Sequence, residues 1–248
     1  MQPVPDAQLR ALCARLAPRL RAVFLDAGNT LIYPDWERIA RWCAEAASPC
    51  PAERLMAAEY VARTRWDAFM AGRIPRPAGG YFATVLEAAS VAQGARGAVL
   101  ERIEQAAEAG TLWLAVRPGT AESLRKLREL GLTLGVVSNA DGRVEQFLET
   151  AGLRPYLDFV VDSTLVGVEK PDPRIFQIAL ERAGVGPGEA VHVGDIFSVD
   201  VVGARSAGIE GVAMDPLWLY ESCNAPRLRH LQELAGELAR WRLLAGKA

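Results

Sequence analysis

The stretch Ala22-Val23-Phe24-Leu25-Asp26-Ala27-Gly28-Asn29 sets the reading of the whole chain. Four apolar residues in succession leave no polar face. That suits a strand covered on both sides in a parallel sheet, not an alternating surface strand. Asp26 closes the run, and Ala27-Gly28-Asn29 makes a turn. The same grammar recurs further along. Leu132 to Val137 runs into Ser138-Asn139, Phe159-Val160-Val161 forms a third run, Ala190 to Val193 runs into Gly194-Asp195, and Gly211 to Met214 is a fifth. Helical periodicity fills the intervals at 120–130, 143–151, 173–183 and 198–207, with glycines 131, 152, 184 and 208 as stops. A last helix is expected from about 227 to 244. An amphipathic helix over 6–17 precedes everything, with Leu9, Leu12, Cys13 and Leu16 on one face. Alternating strand and helix implies an α/β fold, a doubly wound parallel sheet of the Rossmann-like kind.

The alternation breaks after the first strand. From about 34 to 114 the helical period dominates, and helices are expected at 35–47, 51–71, 80–92 and 96–109. They read as a four-helix bundle inserted into the α/β unit. The expected division is therefore a core of 21–32 and 115–248, carrying the helix at 6–17, and an α-helical inserted domain of 33–114. In the second of these helices Leu55, Met56, Tyr60, Trp66, Phe69 and Met70 are expected to pack in the core. Asp35 and Glu37 fit the negative charge favoured at a helix start.

Composition limits the function. The chain has 248 residues, 28 of them basic and 30 acidic, for a net charge of −2. A nucleic-acid binder would usually show a basic domain, so none is expected as a partner. No run of 18 apolar residues is present, so no membrane span is expected. Arginines at 10, 15, 19 and 21 break the apolar core that a secretory signal requires. The setting expected is soluble and cytoplasmic. Cys13, Cys43, Cys50 and Cys223 form no Cys-x-x-Cys pair, and with only two histidines no zinc site is expected. The thiols are expected to remain reduced. Oligomeric state is not legible here.

In an open parallel sheet, ligands bind beyond the carboxyl ends of the strands. Asp26 follows the first strand, Ser138 and Asn139 the second, Lys170 comes after the third, and Asp195 follows the fourth with Asp200 five residues on. Carboxylates supply the oxygen ligands that magnesium (Mg²⁺) prefers. An amine offers point charge to phosphate oxygens, and a carboxylate can act as a nucleophile. Together these residue types suit metal-assisted phosphoryl chemistry.

The same residues carry a family likeness. Val23-Phe24-Leu25-Asp26-Ala27-Gly28-Asn29-Thr30-Leu31 resembles the first motif of the haloacid dehalogenase-like (HAD) hydrolase superfamily. Val137-Ser138-Asn139 resembles the second, and Lys170-Pro171-Asp172-Pro173 with Ile175-Phe176 the third. The stretch from His192 to Asp200 (HVGDIFSVD) resembles the fourth. The likeness spans residues 21 to about 215, with the helical insertion where that family's type 1 cap lies. It implies that Asp26 is a nucleophile, that Asp26, the Gly28 carbonyl and Asp195 surround Mg²⁺, and that Asp200 supports the metal shell. It also implies that Ser138, Asn139 and Lys170 hold the phosphate, Ser138 and Lys170 with catalytic roles, and that a cap closes over a small phosphorylated or otherwise anionic substrate.

One position departs from the pattern. Phosphatases of this family mostly carry a second Asp, a general acid and base, where this chain has Gly28. The backbone role survives and the proton-transfer role does not. Three other readings therefore stand beside a Mg²⁺-dependent phosphatase. One is a non-catalytic binding or regulatory protein. Another is a 2-haloacid dehalogenase, which needs no metal and carries a different fourth motif. The third, a phosphonatase, requires a cap lysine, and the only lysines here are Lys126, Lys170 and Lys247. Arg73 and Arg76, in a Pro- and Gly-rich link, are expected to read an anionic part of the substrate. His192 is expected to be a buried structural histidine.

Overall fold

A computed structural model describes residues 6–220 and 223–245. In chain order the elements are α1 (Ala7–Leu16), β1 (Ala22–Leu25), β2 (Tyr33–Pro34), α2 (Trp36–Glu45), α3 (Ala52–Met70), α4 (Gly80–Ala88), α5 (Gln93–Glu108) and β3 (Trp113–Ala115). There follow α6 (Thr120–Glu129), β4 (Thr133–Ser138), α7 (Val144–Thr150), β5 (Phe159–Asp162), α8 (Ser163–Val166), α9 (Pro173–Ala183) and β6 (Ala190–Gly194). The chain ends with α10 (Val202–Ser206), β7 (Glu210–Met214), β8 (Arg227–Leu228) and α11 (Leu231–Ala245). It divides into two compact units, one running up to Ile32 and resuming at Val116, the other formed by Tyr33–Ala115.

The first unit is built on a six-stranded sheet of order β5-β4-β1-β6-β7-β8, parallel throughout. All four residues of β1 are fully buried, as a strand covered on both faces requires. On one face Ala22, Phe24, Val137 and Val161 pack with Ile175, Phe176 and Ala179 of α9 and Ala204 of α10. Gly135 lies under the Phe159 ring, where a Cβ would come within 2.3 Å of it. Successive strands are added on either side of β1, with β4 to one side and β6 to the other. The topological switch therefore falls at the carboxyl end of β1, where Asp26 stands.

The second unit has its own core, in which Ile39, Cys43, Leu55, Val85, Leu86, Val99 and Ile103 are buried. Edge-to-face rings extend it, from Phe69 through Trp66 and Tyr81 to Phe82, and Phe82 also meets Trp36 and Trp113 at a tilt. Asp35 caps α2 by accepting the Arg38 N–H at 2.9 Å, as the acidic start of that helix suggests.

Several sequence expectations need correction. In α3, Met56 and Met70 are 36% and 40% exposed, while Glu59, Arg63 and Asp67 are buried. The buried stripe is polar because its charges pair. Arg63 donates to both Glu59 oxygens, at 3.0 and 2.7 Å, and the Tyr81 hydroxyl donates to Glu59 as well. The helical stretch is also not free of strands, since β2 and β3 pair antiparallel at its two ends. Residues 227–228 form β8, the sixth strand of the sheet, and not the start of the last helix. The expected helix 198–207 opens instead as a π-turn over Phe197–Val201. Two residues, or one turn, carry no periodicity by which they could be read.

Candidate active site

Each candidate residue is delivered by a strand end. The Asp26 N–H donates to Val193 O at 2.8 Å, which continues the β1–β6 ladder one residue beyond β1. The chain then turns. Ala27 O accepts from Leu31 and Ile32, and Asn29 adopts φ +54°, a left-handed conformation that Asn tolerates better than most residues. Ser138 ends β4. Its hydroxyl donates to Asp26 Oδ1 at 3.1 Å, and Lys170 Nζ donates to the same oxygen at 2.6 Å.

Lys170 lies in the loop between α8 and α9, and Asn139 clasps its main chain. The Asn139 side chain accepts the Lys170 N–H at 2.7 Å and donates to the Lys170 carbonyl at 2.8 Å. The Asn139 amide is thus engaged with this loop. The ammonium also donates to Asp200 Oδ1 at 2.6 Å, so one cation bridges two carboxylates. Asp200 comes from the π-turn after β6. It folds back over Gly194, where a Cβ would sit 2.1 Å from its carboxyl carbon. π-turns of this kind recur at functional sites. Asp200 Oδ2 accepts the Ile196 N–H at 3.0 Å and Oδ1 pairs with His192 Nε2 at 3.0 Å. Asp195, buried after β6, has its carbonyl fixed by the Tyr220 hydroxyl at 3.1 Å.

Burial opposes every charge here. It works against the Lys170 ammonium, but Asp200 and Asp26 outweigh it and hold the pKa above the usual lysine range. It works against Asp200 too, yet Lys170 and His192 hold that carboxyl below the usual range. For Asp26 burial prevails, and with the charge of Asp200 it lifts the carboxyl above its ordinary value against the pull of Lys170. Burial likewise lowers His192, leaving a neutral imidazole at pH 7.

The sheet therefore brings Asp26, Ser138, Lys170 and Asp200 into one hydrogen-bonded group, with Asp195 and Gly28 at the adjoining strand ends. Among the described residues no group of three or more His, Cys, Asp or Glu side chains is arranged to hold a metal ion. A smaller donor set still fits Mg²⁺, which commonly takes one or two carboxylates and completes its shell with water and substrate phosphate. Asp26, Asp195 and the Gly28 carbonyl are oxygen donors of that kind. Asp26 and Asp200 also share a single ammonium, so one cation serves two carboxyl groups. Asp200 accepts from three protein donors and is the anchor of Lys170. Sequence reasoning left out the part His192 plays in that anchor. Arg73, 60% exposed, pairs with the buried Asp67 at 2.8 Å, and Arg76 lies 6.0 Å over the Trp66 ring. Both arginines have partners within their own unit.

Over 94 residues the chain is 48% identical to haloacid dehalogenase-like hydrolase domain-containing protein 3 of Mus musculus, covering 38% of each chain. Over 100 residues it is 39% identical to the glyceraldehyde 3-phosphate phosphatase of Methanothermobacter thermautotrophicus, covering 40% of this chain and 44% of that protein. The matched stretches thus span well under half the length of these curated relatives. A HAD phosphatase from Thermococcus onnurineus superposes with a TM-score of 0.54 at 26% identity, over 88% of this chain and 98% of that one. A 2-haloacid dehalogenase from Pseudomonas syringae pv. Tomato DC3000 does so with 0.53 at 25%, over 90% and 99%. Among the described residues no helix is long and apolar enough to cross a membrane. The haloacid dehalogenase-like hydrolase profile matches residues 20–208, most of the chain, and the protein belongs to that family.

Proposed function

We propose that this hydrolase is a Mg²⁺-dependent phosphatase of small phosphorylated metabolites, working through an aspartyl-phosphate on Asp26. The observation that carries the reading is the pair of donors on Asp26 Oδ1, Lys170 Nζ at 2.6 Å and Ser138 Oγ at 3.1 Å. They fix the carboxylate from one side and mark the place where phosphate oxygens would be met by positive charge and a hydroxyl. The likeness to a glyceraldehyde 3-phosphate phosphatase supports the same class of substrate.

In this reading Asp26 attacks phosphorus, the ester oxygen leaves with the electron pair of its P–O bond, and water then cleaves the acyl phosphate. Asp26, Asp195 and the Gly28 carbonyl would hold the metal, which supplies charge neutralisation at the phosphoryl oxygens. Lys170 and Ser138 orient the phosphate. Asn139 serves by holding the Lys170 main chain, and Asp200 by holding its ammonium. Gly28 offers no proton to the leaving oxygen, so esters of acidic alcohols are the faster substrates.

Phosphate release from a panel of small esters, with Mg²⁺ and with chelator, tests this alongside Asp26→Asn. Release that requires both Mg²⁺ and Asp26 is the expected result. Release unaffected by Asp26→Asn, or absent on every ester, overturns it. Halide release from a 2-halo acid without metal would then identify a dehalogenase, and no turnover of either kind a binding protein.

A further inference from the structure

His192 is an expensive residue to place where it is. It lies inside β6, in register with Phe24 of β1 and Gly211 of β7, and is fully buried between Val191 and Val193. The ring packs edge-on against Phe176 at 5.0 Å. Its Nδ1 is buried with no hydrogen-bond partner. A buried polar atom left unsatisfied is unfavourable, and an aliphatic or phenyl side chain in the same space would avoid the loss. What the imidazole offers in exchange is one group, Nε2, 3.0 Å from Asp200 Oδ1.

That oxygen also receives Lys170 Nζ, and Lys170 in turn bonds to Asp26. Facing an ionised carboxylate, Nε2 must carry the proton, which leaves the Nδ1 lone pair toward the apolar side. The tautomer is therefore fixed by what the ring faces. Asp200 is held at three points, by Ile196 N–H on Oδ2 and by His192 and Lys170 on Oδ1. With the histidine donor gone, only the Ile196 N–H and the flexible lysine itself would restrain the carboxylate.

We infer that His192 is a positioning residue, which fixes Asp200 through Nε2–H and thereby holds the Lys170 ammonium on Asp26. The kinetic consequence rests on the phosphatase reading, while the structural consequence does not. A hydrogen bond to a charged group is worth about a tenfold effect or more when removed. His192→Phe keeps a ring of similar size and lacks the donor. His192→Gln keeps an N–H donor at nearly the reach of Nε2.

The chain has only two histidines and three lysines, so selective labelling isolates the groups concerned. ¹⁵N-histidine spectra should show a neutral His192 protonated on Nε2. In ¹³Cε-lysine spectra His192→Phe should shift or broaden Lys170 and leave Lys126 and Lys247 in place, and His192→Gln should restore it. On p-nitrophenyl phosphate, kcat should fall about tenfold in His192→Phe with KM within about twofold, and recover in His192→Gln. Thermal melts check that both variants are folded. An Nδ1–H tautomer, an unmoved Lys170 signal in His192→Phe, or wild-type kcat in that variant each overturns the inference. A wild type that hydrolyses no ester overturns the phosphatase reading alone, and the lysine spectra then decide on His192. If His192→Phe fails to fold, Asp200→Asn takes its place, and the inference falls if the His192 Nε2–H signal does not move.

Discussion

Gly28 is the residue on which the chemistry turns. It is not one of the glycines held at positive φ, so its backbone conformation does not itself demand glycine. An aspartate there would stand two residues after Asp26, at the position where the family resemblance leads one to expect a general acid. General acid–base assistance contributes about 10²- to 10⁴-fold in rate. Gly28→Asp is therefore expected to raise kcat on alkyl phosphates by about 10²-fold, at the low end of that range. The gain should be far smaller on p-nitrophenyl phosphate, whose leaving group needs no proton. An equal gain on both esters, or none on the alkyl ester, would mean that a proton donor already stands elsewhere. The absence of that carboxyl was legible in advance, because a missing side chain is visible in a sequence. So were Asp26, Ser138, Lys170 and Asp200, each of which follows an apolar run or a Gly-rich turn. The use made of Asn139 and His192 was not. Whether an amide faces ligand or loop, and which donor meets Asp200, depends on register across three strands and a π-turn.

At the scale of elements, α3 shows what a buried charge does to a helix. Glu59, Arg63 and Asp67 recur every four residues and share one stripe, and Glu59 and Arg63 keep only 3% and 2% of their side-chain surface. Breaking such a pair strands a charge in the interior, which typically lowers stability by about 3–5 kcal/mol, whereas replacing both partners is far milder. Arg63→Met should lower the unfolding free energy from urea titration by that order and shift the midpoint down accordingly, and Glu59→Gln with Arg63→Met should recover most of it. Equal midpoints for the single and double variants would show that Glu59 is relieved by Tyr81 alone. The sequence suggested an apolar face on α3 because Met56 and Met70 are spaced for one. Apolar spacing reports which faces could be buried, and pairing decides which is. Longer elements were readable for the opposite reason. β1 is an unbroken apolar run, β4, β6 and β7 are mostly apolar, and α9 begins at Pro173 and ends before Gly184. β2, β3 and β8 are strands only because a partner lies alongside.

For the molecule as a whole, the four cysteines sample both units. Cys13 belongs to the parallel-sheet unit and is 1% exposed, with its thiol pushed up to about 12 by burial and by the nearby Glu237. Cys43 and Cys50 lie in the separate core of the helical unit, where burial, then each other's proximity, pushes Cys43 up to about 11. Cys223 is partly exposed. Alkylation requires the thiolate, and a thiol of pKa about 12 offers about one part in 10⁵ at pH 7 even before access is considered. Iodoacetamide on the native protein should therefore modify Cys223 alone, as read by peptide mass. Along a urea series, Cys43 and Cys50 should become reactive together, because one core shields both. Cys13 follows the opening of the other unit and needs no shared midpoint with them. Labelling of Cys50 ahead of Cys43 would mean that the α2–α3 connection, which carries Cys50, opens while α2 stays on its core. Labelling of Cys13 in native buffer would mean that α1 leaves the sheet unit on its own, a local opening cheaper than unfolding that unit.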